Sequence, residues 1–134
     1  MANALYGKGK EKLLTASINL SSDTIKAAIV SSAYTVNLST HEFYSDISAS
    51  VLNTPGTLGT KTVTLGVFDA ADITYTAVTS GSTAKAIVIY KDTGVAGTSP
   101  LLAYIDTITG FPLATNGGDI TIVWDSGANK IFAL

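Results

Sequence analysis

The chain has no cysteine and no arginine, and among its 134 residues it holds one histidine, one tryptophan and three prolines. Without cysteine there is no disulfide, no thiolate metal ligand and no thiol nucleophile, so packing and backbone hydrogen bonds must carry the fold. The missing arginine removes the side chain best suited to bidentate contacts with phosphate and guanine. The eight lysines are scattered except for Lys8, Lys10 and Lys12, which surround Glu11. A solvated turn of helix accounts for that group, and no nucleic-acid partner is expected. No apolar run approaches the roughly 20 residues of a membrane-spanning helix, so no membrane partner is expected either. The first residues lack the charged-then-apolar order of a secretory signal. By size the chain reads as one domain over residues 1–134, long enough to bury about two thirds of its unfolded surface.

What is present is β-patterned. Only the N-terminal segment 1–16 suggests a helix, over 5–15, where Lys8, Glu11 and Lys12 are suitably spaced and Leu13 and Leu14 can pack; Gly7 and Gly9 weaken it. Ile25, Ile29 and Val30 mark a first strand. Residues 34–60 read as a long irregular loop, with a helical turn near 41–46 and a turn at 53–56, where Asn53, Pro55 and Gly56 fall together. Further on, Val63, Leu65 and Val67 alternate with Thr62, Thr64 and Gly66 as one half-buried strand; Ile73, Tyr75 and Ala77 make the next, after a turn at 69–72. Residues 84–90 are apolar on both faces apart from Lys85, which predicts a central strand covered on both sides or an interface with another subunit. Residues 101–108 are similar. The last nineteen residues read as a closing hairpin that docks the C-terminus: Ile120, Ile122 and Trp124 share a face, a turn follows at 126–129, and Ile131, Phe132 and Leu134 complete it. The expectation is an all-β jelly roll or β-sandwich of about seven to eight strands with a short N-terminal helix.

Chemistry is sparse. His41 is the only imidazole, too little for a zinc site, and no sequence feature places it as the base of a serine triad. Asp69 with Asp72, and Asp119 with Asp125, pair carboxylates, but neither has the alternating spacing of a calcium loop, and turn aspartates bond local backbone in any case. A glycosidase would need such a pair across a groove, and no set of base, nucleophile and oxyanion donors assembles around Asp69, Asp72 or Asp125. The reading is therefore non-enzymatic, with no catalytic, cofactor-binding or metal residues assigned. Trp124 is read as core rather than as a sugar-stacking platform. Tyr34, Phe43 and Tyr44 in the irregular segment, with Leu5, Tyr6, Leu13 and Leu14 in the N-terminal one, are the candidate interface residues.

Several stretches resemble a family of small structural proteins of tailed bacteriophages: Met1-Ala-Asn-Ala-Leu-Tyr-Gly-Lys8, Tyr34-Thr-Val-Asn-Leu-Ser-Thr-His-Glu-Phe43, Ala86-Ile-Val-Ile-Tyr-Lys-Asp-Thr-Gly94, Leu102-Ala-Tyr-Ile-Asp106 and Asn116-Gly-Gly-Asp-Ile-Thr-Ile-Val-Trp-Asp125. The resemblance runs over nearly the whole chain. It implies a virion component made in the bacterial host cytoplasm: a capsid decoration or cement protein on the outer surface of the head, with the major capsid protein as partner and a homotrimer as its form. The alternative is a tail, baseplate or fibre component that binds a receptor or glycan.

Overall fold

A strand that is apolar on both faces needs a cover on each side, and the chain supplies two different ones. The computed structural model describes residues 4–108, 110–124 and 130–133. In order they form β1 (Ala4–Leu5), α1 (Gly7–Leu14), β2 (Ile25–Ser31), β3 (Val51–Thr57), β4 (Thr62–Thr64), β5 (Val67–Asp69), β6 (Ile73–Tyr75), β7 (Thr83–Lys91), β8 (Leu101–Ile105), β9 (Leu113–Ala114), β10 (Ile120–Ile122) and β11 (Phe132–Ala133). The main sheet runs β1-β8-β7-β2-β3, with β9 pairing to β7, and every pairing is antiparallel. Two smaller sheets, β10-β6 and β11-β5-β4, complete an all-β, sandwich-like fold with one short helix.

One face of the main sheet presents Ile25, Ala27 and Ile29 of β2 and Ile87 and Ile89 of β7 to the smaller sheets. These supply Phe68, Tyr75, Ile120, Ile122 and Trp124 to the larger of two buried clusters. The other face presents Ala28, Val30, Ala86, Val88, Tyr90 and Tyr104. It is covered by Tyr6, Tyr34 and Ile47 from the N-terminal segment and the irregular stretch after β2. Strand β7 is thus central, with both faces covered within the chain itself.

The helix is placed by its glycines. A Cβ on Gly9 would stand 2.5 Å from the Leu101 carbonyl oxygen, so only glycine lets α1 lie this close to β8. The low helix propensity of Gly9 is the cost of that approach.

Four expectations are corrected. Residues 61–67 are not one strand but the hairpin β4–β5, closed by Leu65 and Gly66 with φ of 51° and 78°, the pattern of a two-residue type I′ turn. Alternation continues through such a turn, which is why the period hid it. Residues 34–60 are not a loop throughout, since 51–57 form β3, and 53–56 are not a free turn but lie within that strand, where Asn53, Thr54 and Pro55 bulge opposite the single residue Ala28 of β2. An edge strand tolerates Pro55, and Asn53 takes a positive φ of 63° with its amide donating to the Thr76 carbonyl at 3.0 Å. The C-terminal strands do not form a hairpin with each other, since β10 pairs with β6 and β11 with β5. The turn at 126–129, Asp125 and Leu134 lie outside the described residues. Finally, the described strands number eleven rather than seven or eight, because the hairpin divides one expected strand and β1, β3 and β9 form where none was expected.

Candidate functional surfaces

The residues expected to meet a neighbour are mostly packed within the chain's own fold. Tyr6 is fully buried, and its hydroxyl lies 2.8 Å from that of Tyr34, itself buried; the Tyr34 hydroxyl is in turn 2.7 Å from Nδ1 of His41. With Nδ1 as acceptor the run is Tyr6 to Tyr34 to His41, so two buried phenols end on an imidazole nearer the surface. Burial, reinforced by the contact with Tyr34, raises the Tyr6 phenol well above its usual range, and burial likewise raises Tyr34; both stay protonated. Tyr44 is half-buried with its ring 4.8 Å from that of Tyr90. Lys12 on α1 pairs with Glu42 at 3.1 Å and lies 5.5 Å from the centre of the Phe43 ring. Leu5 and Leu13 pack against the larger cluster. Of the seven candidate interface residues only Leu14, 86% exposed at the end of α1, is offered to solvent.

The irregular stretch has its own internal supports. Asp46 accepts the backbone N–H of Glu42 at 2.7 Å and of Phe43 at 3.0 Å, starting a 3-10 turn over Tyr44–Asp46; these bonds hold its carboxyl below the usual range. Asn37 accepts from the N–H groups of Ser39 and Thr40. At the far end of the main sheet Lys26 pairs with Asp92 at 2.9 Å and Lys91 with Asp23 at 3.1 Å, while the Lys61 ammonium donates to the Asp23 carbonyl. The lysines there hold strand ends together.

The residues weighed for chemistry are also in structural use. Asp72 accepts the Trp124 backbone N–H at 3.0 Å, and the Trp124 indole N–H donates to the Ala71 carbonyl at 3.0 Å. With its ring buried and its donors satisfied, Trp124 offers no stacking face. Asp119 accepts the N–H of Ala77 at 2.9 Å. Among the described residues no three His, Asp or Glu side chains gather as a metal-binding group.

Two surface features escaped the sequence reading. One is the β4–β5 tip, where Leu65 is 98% exposed and Val63 is 48% exposed. Gly66 directly after Leu65 was the available signal, but without the turn Leu65 reads as an ordinary strand residue. The other is a groove of about 930 Å³ between the N-terminal segment and the C-terminal strand; Ala4 and Leu5 of β1 line one side, Phe132 and Ala133 of β11 the other. No sequence pattern announces it, because its walls are about 130 residues apart in the chain. No protein-family model matches the chain, and no curated protein matches it.

Proposed function

We propose that this chain is a non-enzymatic structural protein of a tailed-phage virion, a decoration or cement protein that binds the outside of the head lattice and stabilises it. The observation that carries the reading is the apolar knob at the β4–β5 tip. Asparagine, aspartate or glycine suits the first position of a type I′ turn, whereas leucine there is strained and, at 98% exposure, contributes almost nothing to the core. A side chain that costs stability and lacks packing in its own fold is accounted for when a partner covers it. The family resemblance names the class of partner, the major capsid protein, and suggests a trimer as the presenting unit.

The test adds the purified protein to head shells that lack it and measures bound copies and the shell disruption temperature. Saturable binding with a raised disruption temperature is expected, and light scattering should give the mass of a trimer. A monomer that leaves the shells unaltered would overturn the reading.

A further inference from the structure

We infer that the groove between β1 and β11 receives an extended, acidic segment of a partner polypeptide as an added strand. Three observations converge on it. The first is topological: β1 is the outermost strand of the main sheet and β11 the outermost of its three-stranded sheet, among the described residues. Each therefore turns one backbone edge away from its partner, and both strands line the same groove. Exposed edges are templates for strand pairing, and natural sheets usually blunt or cover them. Two edges facing one space suit an incoming strand, which gains main-chain hydrogen bonds from whichever edge it pairs with.

The second is the lining. Ala103 and Ile105 of β8 and the buried Ile108 give the groove an apolar wall for the inward-facing side chains of such a strand. The third is charge. Lys10 and Lys130 are the only charged residues among those lining the groove, and among the described residues neither forms an ion pair. Two cations with no ion-pair partner among the described residues, set beside an apolar wall, select a segment that carries carboxylates. The same feature argues against a second copy inserting its β4–β5 tip, because residues 63–67 of that tip carry no charge.

The inference stands apart from the virion reading, and its test uses no capsid. A random twelve-residue peptide library displayed on ribosomes is selected against the full chain, and recovered peptides are measured by fluorescence anisotropy. Recovered sequences should be net acidic with apolar residues at alternate positions. Binding should weaken about tenfold in the Lys10→Glu/Lys130→Glu variant and several-fold in Lys10→Gln/Lys130→Gln, and should fall as salt rises. Bound peptide should slow amide exchange at Leu5 or Ala133. Failure to recover any binder, recovery without acidic bias, or indifference to both variants would overturn the inference, as would sequences matching this chain's own hairpin, which would assign the groove to a second copy. Both variants alter surface side chains, and an unchanged melting curve verifies that lost binding is not lost folding.

Discussion

The two faces of the main sheet are closed by different means. On one, the side chains of β2 and β7 meet other strands, and the contacts are aliphatic and aromatic with few polar atoms: Ile29, Ile87 and Ile89 against Phe68, Ile120 and Ile122. On the other they meet an irregular stretch, and the cluster is rich in tyrosine, with Tyr6, Tyr34, Tyr90 and Tyr104. The difference follows from the backbone of each cover. Strands satisfy their N–H and C=O groups in ladders and can present purely apolar side chains. A stretch without a ladder must find partners one by one, as Asp46 and Asn37 provide, and tyrosine fills volume while its hydroxyl joins such a network. A sheet face can therefore be sealed by a loop, provided that polar groups are carried into the seal.

The comparison breaks first, and with the largest effect, at Trp124. It lies on the strand-covered face, so Trp124→Ala removes a buried ring from the larger cluster and should cost about 3–5 kcal/mol of unfolding free energy. Trp124→Phe should retain most of the packing. It frees the carbonyl of Ala71, an exposed residue that water can reach, so a loss of only about 1 kcal/mol is expected. Urea unfolding of both variants checks this. Equal losses would mean that the indole hydrogen bond, rather than the ring's volume, anchors that end of the fold.

On the loop-covered face the decisive group is polar. Tyr34→Phe keeps the ring but removes the hydroxyl that joins Tyr6 to His41, leaving the fully buried Tyr6 hydroxyl without that partner; about 1–3 kcal/mol should be lost. Tyr6→Phe should cost less, about 0.5–1.5 kcal/mol, because the Tyr34 hydroxyl retains His41. The order of the two variants, measured by denaturant midpoint, is the sharper check. If Tyr6→Phe proves the more damaging, the network does not run through Tyr34, and the loop is held by shape alone.

These contrasts explain how far the sequence could be read. The strand-covered face was legible, since the β-branched residues of Ile25–Ser31, the alternation at Ile120–Ile122 and the two-sided apolar run of β7 report their surroundings directly. The loop-covered face was not: nothing local separates a tyrosine that seals a core from one that waits for a partner, and by sequence alone Tyr6 and Tyr34 read as interface residues. The β4–β5 turn was hidden by a period that a two-residue hairpin preserves. The groove was hidden by chain distance.

The smallest expected change in stability is also the most informative about function, and it concerns a residue that belongs to neither face. Leu65 is 98% exposed, so Leu65→Asn removes almost no packing, while asparagine tolerates the positive φ of this position far better. The variant should be more stable than the parent by about 0.5–1 kcal/mol. If the tip docks against a shell or a neighbouring copy, the same change removes a leucine whose burial is worth about 1.5–3 kcal/mol, so association should weaken by roughly one to two orders of magnitude. Opposite signs in the two measurements would identify a residue kept for contact at the expense of the fold. A stabilised variant that binds shells as tightly as the parent would leave the leucine a strained turn residue without a partner, and the proposed docking surface would have to move to the exposed Leu14 at the end of α1.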